Sequence, residues 1–153
     1  MQSRLLRWVR RIAIILGVLG VLIGLMQVVP YGRTHSNPET VIEPAWDSPR
    51  TRELAVRACF DCHSNQTTWP WYADVAPMSW VVENDVDGAR DTLNFSEWQR
   101  MYPLAQESGP SVVSRDMPPY KYRMAHPLAD LTQAETIELA RGLNATVGAR
   151  GKI

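Results

Sequence analysis

Residues Ile12 to Val29 form an 18-residue run with no charged side chain and one strongly polar one, Gln27. A helix rises about 1.5 Å per residue, so the run reaches roughly 27 Å, close to the ~30 Å hydrocarbon core of a bilayer. One transmembrane helix is expected, and it divides the chain into a short flank and a longer part able to fold. Arg4, Arg7, Arg10 and Arg11 precede the run, with no acid among the first eleven residues. That asymmetry places the flank on the cytoplasmic side. The rest is expected across the membrane, periplasmic if the anchor sits in a bacterial inner membrane. A cleaved signal peptide is the rival reading. Only Gln27-Val28-Val29-Pro30 follows, a poor cleavage site, so the anchor is expected to stay.

Within the run, Ala13, Gly17, Gly20 and Gly24 fall within about 60° of one another at 100° per residue. Such small-xxx-small spacing lets transmembrane backbones approach closely, so a packing face toward another helix is expected. Glycine is also common in membrane helices, which is the plainer reading.

The 153 residues carry 16 basic and 16 acidic groups. With the four N-terminal arginines set aside, 12 basic groups face 16 acidic ones, a balance of −4. This disfavours a nucleic-acid-binding domain. The apolar fraction of 45% can support a core.

Boundaries follow from composition: a flank at 1–11, the anchor at 12–29, an extended linker at 30–45, a folded domain at 46–147 and a tail at 148–153. The linker holds three prolines and few large apolar residues, and would reach about 40–50 Å if extended. No alternation is long enough for a sheet. Ser48-Pro49 reads as an N-cap and first helical residue, opening a helix to about Asp61 with Leu54, Ala55 and Ala58 inward. A second helix is expected over Trp80–Leu93, then a break at Asn94-Phe95-Ser96 with a short turn through Met101. Thr132-Gln133-Ala134-Glu135 is a capping box opening a last helix to about Leu143, with Ile137, Ala140 and Leu143 on one stripe. Ser108–Leu131 is proline-rich and expected as loop. The fold class is all-α, a small helical domain with long loops behind one transmembrane helix.

Cys59-Phe60-Asp61-Cys62-His63 is C-x-x-C-H, the attachment signature of c-type haem. Two thiols on one helical turn can reach two vinyl groups, and the next residue, His63, can point at the iron. A structural zinc site would need four ligands, with only His35 and His126 left to supply them. A thioredoxin-like dithiol would need a βαβ context, which is missing.

From about Trp46 to Leu143 the chain resembles the bacterial haem-binding domain family of cytochrome c-like proteins. The resemblance is carried by Cys59-Phe60-Asp61-Cys62-His63-Ser64-Asn65, Trp69-Pro70-Trp71-Tyr72, Ala76-Pro77 with Ser79-Trp80, Leu93-Asn94-Phe95-Ser96-Glu97-Trp98, Met117-Pro118-Pro119 with Tyr122, and His126-Pro127 with Ala129 and Leu131. It implies one covalently bound haem c on a cytochrome c-like fold. Met78 departs from it, where a smaller or branched residue is expected.

The sixth iron ligand must come from Met78, Met101, Met117, Met124, His35 or His126. Met117 is favoured, because Pro118 and Pro119 stiffen its loop. Met-Pro-Pro also resembles the distal loop of small cytochromes c. His126 is the runner-up, and His35 is expected to be solvated. The carbonyls of Pro70 and Pro77 are expected to orient the His63 ring. Trp69, Trp71 and Trp80 are expected to wall the haem. A propionate donor is sought among Arg115, Tyr120, Lys121, Tyr122 and Arg123.

A His/Met iron has no open site, so single-electron transfer between periplasmic redox partners is the leading reading. The membrane holds the protein, and a membrane complex is the expected partner. Between Asp74 and Asp116 acids outnumber bases 8 to 3, which would steer a basic partner. The alternatives are a haem-based gas sensor and a structural haem subunit of a respiratory or photosynthetic complex. An enzyme is not expected, since no distal His/Arg pair is apparent.

Overall fold

The computed structural model of the chain describes residues 2–149. Met1 of the expected flank and residues 150–153 of the expected tail lie outside the described residues. The described residues are helical and contain no strand; one isolated bridge pairs Ile42 with Glu97. Seven α-helices run in the order α1 (Gln2–Met26), α2 (Pro49–Ala58), α3 (Phe60–His63), α4 (Met78–Thr92), α5 (Ser108–Val113), α6 (Tyr120–Ala125) and α7 (Gln133–Ala149). Short 3-10 turns cover Trp71–Asp74, Pro103–Glu107 and Pro127–Ala129.

The chain divides into two compact units. One comprises residues up to His35 with Pro70–Asn84, the other Ser36–Trp69 with the residues from Asp85 onward. In the first, α1 contains a stretch, Arg4–Met26, long and apolar enough to cross a membrane, with none of its most apolar window buried. A Cβ added at Gly17, Gly20 or Gly24 would meet no atom within 4 Å, so the small-residue stripe has no neighbour among the described residues. His35 is not the solvated side chain expected: its Nε2 lies 3.1 Å from the Ala73 carbonyl.

The second unit holds the core. Ser48, in an extended conformation, accepts the Thr51 N–H at 3.1 Å, and Pro49 needs no donor at the first turn. α2 buries Leu54, Ala55 and Ala58 as expected. α7 opens on the expected capping box: the Glu135 carboxylate accepts the Thr132 N–H at 2.9 Å, and Thr132 Oγ1 accepts the Glu135 N–H at 3.3 Å. Its buried face runs through Thr136, Leu139, Ala140, Leu143 and Val147, while Ile137 is 39% exposed. Gly142 lets α7 approach α2, because a Cβ there would collide with the Thr51 side chain. Phe95 is central to the aromatic packing, 5.1 Å from Trp46, 5.7 Å from Phe60 and 6.0 Å from Trp98.

Two stretches differ from expectation. Ser108–Leu131 contains α5 and α6 rather than loop alone. Pro110 sits in the first turn of α5, where a missing N–H costs nothing, and Pro119 caps α6. Residues 36–45 carry no helix, but they are hydrogen-bonded into their unit. The Ser96 carbonyl accepts from Val41 N–H at 2.9 Å and Ile42 N–H at 3.2 Å, and the Ile42 carbonyl accepts from Trp98 N–H at 3.0 Å.

Candidate functional site

Cys59 of the C-x-x-C-H stretch is the break between α2 and α3, and Phe60–His63 form α3. α2 ends as Cys59 N–H reaches the Ala55 carbonyl at 2.8 Å, with Cys59 at φ −126°, ψ −33°. The Cys59 carbonyl then accepts from Cys62 N–H at 3.2 Å and His63 N–H at 2.8 Å. The two sulfurs and the imidazole therefore leave one tight turn. Both cysteines are free thiols. Burial pushes the Cys59 thiol up to about 12; burial, with the charges of Asp61 and Asp85 adding to it, pushes Cys62 up to about 11. Both are neutral at physiological pH, whereas a reactive dithiol needs lowered values. The described residues also contain no cluster of three or more His, Cys, Asp or Glu able to hold a metal ion.

His63 is oriented from two sides. Its Nδ1 lies 2.9 Å from the Leu93 carbonyl. A carbonyl only accepts, so Nδ1 carries the proton and Nε2 keeps its lone pair. Burial holds the ring below its ordinary pKa, against the opposing pull of the Leu93 carbonyl, so it stays neutral at pH 7. The orienting group is thus Leu93, not Pro70 or Pro77. α4 stops at Thr92, leaving the carbonyl just past its end without an intrahelical donor, and His63 supplies one. In return, Phe95 N–H donates to the His63 carbonyl at 2.8 Å.

Behind this clamp lies a buried polar network. Asn94 Nδ2 donates to Asn65 Oδ1 at 2.8 Å, Ser96 N–H to Asn94 Oδ1 at 2.9 Å, and Asn65 N–H to Ser96 Oγ at 2.9 Å. Arg90 Nε adds a 2.8 Å bond to the Ser64 carbonyl.

A cavity of about 240 Å³ opens beside His63. Cys59, Leu93, Phe95, Leu104, Val112 and Leu143 supply its apolar wall, with Thr92, Glu107, Ser108 and Ser111 as the polar lining. Met117 completes it, its N–H donating to the Ser111 carbonyl at 3.0 Å. The cavity therefore brings together three of the expected site residues, Cys59, His63 and Met117. Cys62 is half-buried on the same turn but outside the lining, and so is His126, whose ring stacks on Tyr122 at 4.2 Å. Met101 and Met124 are exposed, and neither they nor Met78 or His35 reach the cavity.

Two expectations need correction. No tryptophan lines the cavity; Phe95 and aliphatic side chains take that place, while Trp46 and Trp98 pack against Phe95 itself. Nor do the residues sought as propionate donors line it. Arg115 and Arg123 pair with Asp130, Lys121 with Asp85, and Tyr122 with Asp61.

That last contact was not foreseen. Tyr122 Oη donates to Asp61 Oδ2 at 2.6 Å, tying α6, three residues beyond Pro119, to the middle of the C-x-x-C-H stretch. Burial, with the Asp61 hydrogen bond, pushes the Tyr122 phenol far above its ordinary range, so it remains a donor. The only local signal was a tyrosine at a fixed offset from Met-Pro-Pro.

A largely apolar slot with a neutral imidazole and a thioether in its lining, and protonated thiols on the adjoining turn, fits a haem: these side chains include both a nitrogen and a sulfur donor. The fold and site are those of a small helical haem protein. The chain belongs to the haem-binding domain family, whose model matches residues 21–145. Searches of curated proteins and of solved structures return no match.

Proposed function

We propose that this haem protein is a membrane-anchored monohaem cytochrome of the c type that passes single electrons between periplasmic redox partners. Cys59 and Cys62 would each add S–H across a vinyl group, sulfur to one carbon and hydrogen to the next, so nothing is oxidised or reduced. His63 Nε2 would be the proximal iron ligand and Met117 sulfur the distal one. The iron supplies a one-electron couple. The apolar wall from Phe95 to Leu143 would keep water from it; burial keeps the imidazole neutral, and the Leu93 carbonyl keeps it aimed. α1 anchors the domain in the bacterial inner membrane, and the acidic excess between Asp74 and Asp116 suits a basic docking partner.

The observation carrying this reading is that His63 and Met117, 54 positions apart in sequence, line one cavity together with Cys59. Were His63 and Met117 both to hold the iron, no position would be left open on it, which favours electron transfer over gas binding or substrate chemistry. The test is a redox titration of the full-length protein in detergent, followed by carbon monoxide addition to the ferrous form. A single one-electron wave with slow, weak carbon monoxide binding is expected. Rapid, tight binding would instead make the protein a gas-binding one.

A further inference from the structure

Where α1 ends, the chain turns against a second segment of its own unit. Gln27 Nε2 donates to the Ala76 carbonyl at 2.9 Å, and Ala76 N–H donates back to Gln27 Oε1 at 3.1 Å. Arg33 donates to the same Oε1 at 2.8 Å. Gly32, at φ +80°, lies so close to the start of α4 that a Cβ would strike the Ser79 carbonyl. His35 then holds Ala73 and pairs with Asp74 at 3.7 Å. Pro70–Asn84 is thereby fixed at the level where the apolar helix ends.

That level determines what its uncovered side chains meet. Trp71 is 79% exposed and Met78 45% exposed, with Val75 also exposed between them. Across the clamp, Val28 is 79% exposed, and Val29 and Tyr31 are also exposed. Aromatic and aliphatic side chains clustered at the end of a transmembrane helix are what the membrane–water boundary selects, since their rings combine an apolar body with a polar edge. Arg33 is exposed beside them and can meet lipid phosphates; of the two acids in Pro70–Asn84, Glu83 is buried and accepts from Thr34 Oγ1 at 3.1 Å, and Asp74 lies 3.7 Å from His35.

We propose that Trp71, Val75 and Met78 insert into the headgroup boundary of the leaflet from which α1 emerges, so that Pro70–Asn84 is a second membrane contact whose occupant is the lipid surface. The inference rests on α1 spanning that membrane. The Gln27–Ala76 clamp sets the depth of insertion, and Gly32 allows the approach.

The test uses full-length protein in phosphatidylcholine–phosphatidylglycerol vesicles doped with a phospholipid carrying a photoactivatable diazirine high on its acyl chain. Adducts are mapped by mass spectrometry after illumination. Labelling is expected both on α1 and on Trp71, Val75 or Met78. In Trp71→Gln with Met78→Gln, labelling of residues 70–79 should be lost while that of α1 persists. Adducts confined to α1 in the parent, or labelling of 70–79 undiminished in the double variant, would overturn the proposal and leave the anchor standing. Absence of adducts from α1 as well would overturn both.

Discussion

The two sides of the cavity are built differently. On the His63 side, the ring bonds to the Leu93 carbonyl, the backbone carbonyl takes the Phe95 N–H, and Ser64, Asn65, Asn94 and Ser96 are buried and bonded to one another or to adjoining backbone. On the Met117 side, the methionine is 40% exposed, and α6 just beyond it buries none of its residues. α6 is tied across the unit by the Tyr122–Asp61 hydrogen bond and the Lys121–Asp85 ion pair. A satisfied buried network admits one geometry, whereas exposed ion pairs contribute ~0–1 kcal/mol. His63 is thus fixed by the fold, and Met117 is held by a few contacts that can open.

The largest effect expected on this contrast comes from Met117→Ala. It should abolish the far-red methionine-to-ferric charge-transfer band and open the ferrous iron to carbon monoxide, while haem stays bound through the His63 side. His126→Ala should leave the band in place. The opposite outcome for the pair would assign the distal ligand to His126.

Asn94→Ala probes the other side. It strips partners from Asn65 Oδ1 and the Ser96 N–H, and an orphaned buried polar group costs about 1–3 kcal/mol. The midpoint of thermal unfolding should fall accordingly, with the methionine band retained. A band lost at unchanged stability would erase the distinction between the two sides.

Tyr122→Phe should do the reverse. Losing a hydrogen bond to a partly exposed carboxylate is worth roughly 1.5 kcal/mol, about tenfold in the population of an opened distal loop. Carbon monoxide association should speed by that factor while the melting temperature barely moves. No change in association would show that Pro118 and Pro119 alone hold the loop.

The smallest effect lies in the helix pair behind the proximal side. The Arg57 guanidinium, with the Thr132 backbone, holds the Glu135 carboxyl down to about 2. A lowered carboxylate stabilises fully above its ordinary 4.5 and loses that contribution as pH falls through about 2. Glu135→Gln should therefore lower the melting temperature slightly at neutral pH, with the deficit shrinking as pH falls through that window, so that the variant's acid decline is flatter.

What the sequence disclosed was local. The C-x-x-C-H turn, the Ser48 cap, the Thr132–Glu135 box and the Met-Pro-Pro stretch each carry their signal within a few residues. What stayed hidden joins distant ones: Leu93 is 30 positions from His63, and Tyr122 is 61 from Asp61. Prolines were read as loop between Ser108 and Leu131, although the same residues can start helices, as Pro110 and Pro119 do. The last helix turns inward on Leu139 rather than Ile137, because small Thr136, bonded back to the Thr132 carbonyl, shares the buried face. Counting tryptophans overstated their part, since Phe95 rather than any indole faces the cavity.

The central claim is that one haem is bonded to the chain through Cys59 and Cys62, and intact-mass spectrometry of the denatured full-length protein tests it most directly. The account predicts the polypeptide mass plus that of one haem, retained through acid–acetone extraction. Cys59→Ala with Cys62→Ala should reduce this to the polypeptide mass alone. An unmodified parent mass with freely extractable haem, or a haem adduct surviving in the double variant, would contradict it.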